Sequence, residues 1–137
     1  MQVLIVDDSK LVLIAIRGLL LDAGYEVFTA INGQQGLDVL QRIPSCRTVI
    51  ADLEMPVMNG LDFCKAVRAQ QDRWGYVYFI MLTSHGTNSD MIQSFAAGAD
   101  DFIAKPYSPV EVLARLKVGE RILPLLNADN RTTEQLT

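Results

Sequence analysis

The chain has 137 residues, of which 50% are hydrophobic and 20% charged, with a formal net charge of -4 and a pI near 4.8. That is enough apolar material for one well-filled core, which excludes a disordered or fibrous chain. The acidic balance argues against DNA or RNA as a direct partner, because phosphate recognition needs a clustered excess of Lys and Arg.

Met1-Gln2 leads straight into an apolar run, without the basic start, long apolar core and small-residue cleavage site of a signal peptide. The most apolar stretch, Leu11 to Leu21, is interrupted by Arg17 and is shorter than the ~20 residues of a spanning helix. A cytoplasmic protein with no membrane partner is expected. Cys46 and Cys64 lie far apart without metal-ligand spacing, so they read as two reduced thiols.

In chain order, Gln2 to Val6 is a short apolar strand stopped by Asp7-Asp8, and a helix from Leu11 to Ala23 follows, closed by Gly24. Tyr25 to Ala30 is the second strand; Asn32-Gly33 opens a second helix through Arg42, ended by Pro44. Arg47 to Asp52 is the third strand, after which a Met-Pro turn and an Asn59-Gly60 pair lead into a helix to Gln70. Val77 to Leu82 is a fourth, continuously apolar strand, as expected when both sheet faces are covered. A polar loop, a helix over Ser89 to Ala97 closed by Gly98, and a short strand Asp101 to Ala104 come next. Ser108-Pro109-Val110-Glu111 reads as a capped helix start, with the helix running to about Leu123, where Pro124 breaks it. Residues 1–123 form one domain, and 124–137 a polar tail or the start of a linker.

Five strands alternating with five helices imply an α/β fold, a parallel sheet with helices on both faces. Right-handed crossovers and the common order 2-1-3-4-5 put the carboxyl ends of strands one and three side by side at the switch point. Asp7, Asp8 and Asp52 therefore converge.

Three carboxylates in one cleft repel one another unless a cation binds or a proton is retained. Alone, Asp7 would be a helix cap and Asp8 a solvated acid; beside Asp52 they read as an oxygen-only site suited to Mg²⁺. Such an ion would let a phosphoryl donor approach, leaving Asp52 as the nucleophile of an acyl phosphate. From neighbouring strand ends, Lys105 can offer a charge and Thr83 a hydroxyl to other phosphoryl oxygens.

Asp7-Asp8-Ser9, Asp52-x-x-Met55-Pro56-x-Met58-x-Gly60, Thr83-Ser84, Ala97-Gly98-Ala99-Asp100 and Lys105-Pro106, in this order, resemble the receiver domain of two-component response regulators, the CheY-like, flavodoxin-like fold. The resemblance spans Met1 to about Leu123. It implies a signalling domain that catalyses its own phosphorylation and dephosphorylation, rather than a turnover enzyme. Asp52 would take a phosphoryl group from a sensor histidine kinase or histidine phosphotransfer protein. Mg²⁺ would be held by Asp8, Asp52 and the Glu54 backbone carbonyl, with Asp7 acting mainly through water. Thr83 and Lys105 would hold the phosphoryl group, and the Lys105-Pro106 bond would be cis. The aromatic switch position falls on Phe102, which lacks a tyrosine hydroxyl. Drawing Thr83 inward would move Phe102 and shift the surface of the fourth helix, fifth strand and fifth helix, the output or homodimer face.

Glu54 and His85 each lie two residues beyond a pocket residue, Asp52 and Thr83, and are read as tuning the phosphoryl lifetime by shielding or orienting water. For His85 an exposed loop imidazole is the equal alternative. The first helix is apolar beyond one stripe; a wide core face is favoured, with kinase docking the alternative. The chain is a stand-alone receiver or the amino-terminal module of a longer regulator, a diguanylate cyclase among the options for its output domain. Two rivals share parts of the pattern. A haloacid-dehalogenase-type phosphatase needs Asp-x-Asp where this chain has Asp7-Asp8-Ser9, and a flavodoxin-like flavin binder needs a hydroxyl-rich loop there.

Overall fold

The computed structural model describes residues 1–84 and 86–136, so His85 lies outside the described residues. Five parallel strands, β1 (Gln2–Val6), β2 (Glu26–Ala30), β3 (Thr48–Ala51), β4 (Tyr78–Thr83) and β5 (Asp101–Ala104), form one sheet in the order β2-β1-β3-β4-β5. The helices among the described residues are α1 (Lys10–Asp22), α2 (Gly33–Arg42), α3 (Gly60–Ala69), α4 (Gln71–Trp74), α5 (Asn88–Ala96) and α6 (Pro109–Leu136). The expected fold and strand order are present.

Alternation along each strand sends side chains to opposite faces, which is why the runs are apolar throughout. Leu4, Val6, Val49, Ala51, Phe79 and Met81 pack with Val39 and Leu40 of α2 and Phe63 and Val67 of α3. Val3, Ile5, Ile50, Ile80 and Leu82 face the other way, against Leu13, Ile16 and Leu20 of α1 and Val112 and Leu116 of α6. Ser9, Asn32 and Asn59 cap α1, α2 and α3 by accepting the amides of Val12, Gln35 and Asp62. Gly24 and Gly98 take φ of 92° and 110°, the left-handed region that closes α1 and α5.

Four features depart from the sequence reading. The turn α4 carries no sequence signal, because its polar residues have no helical period; tertiary contacts hold it. The Arg47 guanidinium stacks over Trp74 at 5.5 Å while its Nε donates to the Trp74 carbonyl at 3.0 Å. A capping box links Thr87 and Asp90 at the start of α5, one residue ahead of the expected helix. In α1 the wide apolar surface divides: Leu13, Ile16 and Leu20 are buried, whereas Leu11 is 80% and Ile14 69% exposed.

The expected break at Pro124 does not occur, and α6 runs through it. A proline inside a helix loses one backbone hydrogen bond. Here anchors on both sides compensate: Leu123 packs on the α1-side core, and Asn127 Oδ1 accepts the Tyr76 amide at 3.0 Å.

The turn between α5 and β5 is bolted to α3. Arg68 donates to the carbonyls of Val77 at 2.7 Å and Gly98 at 2.7 Å and pairs with Asp100 at 2.9 Å. Asp100 also accepts the Phe79 amide at 2.8 Å and the Tyr76 hydroxyl. Burial and that carboxylate push the Tyr76 phenol up to about 12.

Candidate functional site

Parallel register builds the site. Val6 pairs with Ala51, so the residues that follow them, Asp7 and Asp52, leave the sheet side by side. Pairing persists one step further: the Asp52 amide donates to the Val6 carbonyl at 2.9 Å and the Asp7 amide to Ala30 at 3.1 Å. Each carboxylate is then turned by a local bond, Asp7 Oδ1 accepting the Ser9 amide at 2.9 Å and Asp52 Oδ1 the Leu53 amide at 2.7 Å.

Carboxylate oxygens of Asp7, Asp8 and Asp52 lie within 4.8 Å of one another. Asp7 and Asp52 are buried and Asp8 is exposed. Lys105 Nζ stands 3.1 Å from Asp7 Oδ2 and 3.6 Å from Asp52 Oδ2, delivered from the end of β5. Three acids against one ammonium leave the cluster short of positive charge. Burial raises the Asp7 pKa above its ordinary value; the Ser9 amide and Lys105 oppose this, and the Asp52 charge adds to it. The donor set is all oxygen, partly buried and electrostatically undercompensated, which fits a hard divalent cation such as Mg²⁺.

Beside the cluster opens a cleft of about 680 Å³ lined by Asp8, Asp52, Glu54, Met55, Pro56 and Asn59. The loop from Asp52 to Gly60 forms its wall and is tightly folded. The Gly60 amide donates to the Leu53 carbonyl at 2.8 Å, and a Cβ on Gly60 would run into the Asp52 carbonyl, so no larger residue fits. The Met58 amide donates to the Pro56 carbonyl at 2.7 Å, a γ-turn that puts Val57 at φ 69°, a strained conformation for a β-branched residue.

Thr83 ends β4 and is fully buried, its carbonyl accepting the Lys105 amide at 2.7 Å. The Lys105-Pro106 bond is cis. Phe102 is half-buried in β5, packed on the α2/α3-side core and paired with Met81. The structure thus gathers Asp7, Asp8, Asp52 and Lys105, lines the adjoining cleft with Glu54, and sets Thr83 at the same edge of the sheet. In the sequence Asn59 is only half of a turn signal. It both caps α3 and lines the cleft, a pairing visible once the loop is folded.

Residues 3–117 match the family model described as the response regulator receiver domain. The chain is 35% identical over 119 residues to chemotaxis protein CheY1 of Helicobacter pylori, covering 86% of this chain and 95% of that one. It is 37% identical over 117 residues to the probable transcriptional regulator ycf27 of Porphyra purpurea, covering 85% of this chain and 46% of that protein. Thus it spans about half the length of such regulators. Among solved structures, chemotaxis protein CheY4 of Vibrio cholerae superposes with a TM-score of 0.78 at 36% identity, covering 85% of this chain and 95% of that one. The CheX-CheY-BeF3-Mg+2 complex from Borrelia burgdorferi gives 0.77 at 25% identity, covering 85% and 86%. A phosphatase of the haloacid dehalogenase type and a flavin-binding flavodoxin are therefore set aside. The chain belongs to the response regulator receiver domain family.

Proposed function

We propose that Asp52 is the phospho-acceptor of a two-component phosphorelay acting in the cytoplasm. The observation that carries this reading is the Asp52 carboxylate at the end of β3, grouped with Asp7 and Asp8 and 3.6 Å from Lys105. A carboxylate oxygen of Asp52 attacks the phosphorus of a phosphohistidine, on a sensor histidine kinase or a histidine phosphotransfer protein. The phosphorus–nitrogen bond breaks, and the imidazole leaves with its electron pair and takes up a proton.

Asp8, Asp52 and the Glu54 carbonyl would hold Mg²⁺, with Asp7 reaching it through water. When bound, the ion supplies charge neutralisation for the incoming phosphoryl oxygens. Lys105 and the Thr83 hydroxyl take further oxygens of the transferred group, and movement of Thr83 toward it draws Phe102 along. The face of α5, β5 and α6 then shifts between two packings and contacts an output domain, an output protein or a second copy. Exposed Met91, Ile92 and Phe95 on α5 give that face apolar area. Residues 1–123 are the receiver and 124–137 a polar tail or the start of a linker. The chain works alone or leads a longer regulator, with a diguanylate cyclase one option for the output. Neither nucleic acid nor membrane is a direct partner in this reading.

Support comes from family membership and from the Borrelia burgdorferi relative, whose complex contains BeF3 and Mg+2. The test is incubation with acetyl phosphate and Mg²⁺ followed by intact mass. One phosphoryl group is expected on the wild type and none on Asp52→Ala or without Mg²⁺; equal labelling of Asp52→Ala would overturn the reading. Glu54 is read as setting the lifetime of the adduct, and His85 as its counterpart. Loss of label followed over time in Glu54→Ala and His85→Ala should differ from wild type, and identical decay would remove that role.

A further inference from the structure

We propose that Gly33, the first residue of α2, is a positioning residue for the cation site: it clamps the β3–α3 loop so that the cleft wall stays beside Asp52. The inference rests on the Mg²⁺ reading above.

Glu54, Met55, Pro56 and Asn59 make one wall of the cleft, and that wall is set by the strained γ-turn at Val57 (φ 69°). Strain of this kind persists only where the surroundings over-determine the backbone. The Val57 side chain is exposed and holds nothing in place. Two close approaches hold the loop instead. One is at Gly60, against the Asp52 carbonyl.

The other is at Gly33, whose amide donates to the Met58 carbonyl at 3.1 Å, immediately after the turn. A Cβ on Gly33 would lie 2.8 Å from Met58 Cγ, 2.8 Å from Phe63 Cβ and 3.0 Å from Met58 Cβ. The start of α2 is itself fixed, since the buried Asn32 side chain accepts the Gln35 amide at 2.9 Å. The missing side chain at Gly33 is therefore what lets α2 close on the loop. Neither Gly33 nor Met58 lines the cleft, so the effect is transmitted through the loop backbone.

Gly36, one turn along the same helix, is a matched control. A Cβ there would meet Phe63 Cζ at 2.7 Å and Val6 Cγ2 at 3.2 Å, crowding the same Phe63 side chain, at its ring, without touching the loop. Calorimetric titration with Mg²⁺ alone should show Gly33→Ala binding about 10–100-fold more weakly than wild type, the range found when support behind a metal ligand is lost. Gly36→Ala should keep the wild-type affinity even where its melting temperature falls as far. Unchanged binding in Gly33→Ala, or equal weakening in both variants, would overturn the clamp.

Wild-type hydrogen exchange supplies a second arm that does not depend on the variants folding. Coupling is reciprocal, so saturating Mg²⁺ should slow exchange of the Gly33 amide. An unchanged Gly33 amide in a chain that binds Mg²⁺ would also overturn the clamp. A wild type that binds no Mg²⁺ would instead overturn the reading on which the clamp rests.

Discussion

Asp7 is 3% exposed, and its carboxyl is held above its ordinary pKa, chiefly by burial. An acid whose folded pKa exceeds its unfolded value carries more protons in the fold than in the unfolded chain across the window between the two. Stability contributed by its neutral form is thus lost as pH rises from the ordinary 3.8 through the raised pKa of the fold. At neutral pH the ionised acid is a liability in the metal-free chain, and a bound cation would remove it. Asp7→Asn should accordingly melt a few degrees higher than wild type at pH 7 in the presence of chelator, with roughly 2–4 °C corresponding to each kcal/mol. The gain should shrink toward pH 4. Thermal scans across that range check this; no gain at pH 7 would mean that Lys105 and the Ser9 amide outweigh the burial. At this scale the acids were legible because the strand order puts Asp7 and Asp8 beside Asp52; alone they would be a helix cap and a solvated acid. Lys105 and Thr83 were legible from their places at neighbouring strand ends beside that cluster, and the family motifs matched them. Gly33 and Asn59 did not, since their roles depend on which loop folds against them.

The elements were legible wherever periodicity and punctuation agreed. The range of β5, the Asn32-Gly33 opening of α2 and the closing glycines of α1 and α5 all follow from local chemistry. α4 and the run of α6 through Pro124 did not, because Arg47 on Trp74 and Asn127 on Tyr76 are long-range contacts. Helix α1 shows why pattern alone was ambiguous: one stripe enters the core, while Leu11 and Ile14, at the end nearest the acids, face solvent. Apolar exposure there suits the helices of a phosphodonor protein. Leu11→Asp should slow phosphotransfer from a cognate kinase about tenfold, the scale of losing one interface anchor, with acetyl phosphate labelling unchanged. Paired rate measurements decide, and equal slowing with both donors would count against docking on α1.

Across the whole molecule, sheet order carries the function. Parallel crossovers bring Asp7 and Asp52, 45 positions apart, to adjacent strand ends, and β5 brings Lys105 to the same edge. The opposite end of the sheet is where α6 is fastened. There Asn127 holds the Tyr76 amide ahead of β4, ten residues beyond the family match at 117. Asn127→Ala should cost about 1 kcal/mol, the net worth of one such bond, read as a lower midpoint in urea; an unchanged midpoint would mean that α6 past Pro124 adds nothing to the fold. The oxygen that takes the phosphoryl group decides the role of the whole cluster. Borohydride reduction after treatment with acetyl phosphate and Mg²⁺, followed by peptide mapping, converts an acyl-phosphorylated aspartate to homoserine and marks its position. The change is expected at Asp52 alone; a mark at Asp7 or Asp8, or none anywhere in a labelled chain, would contradict it.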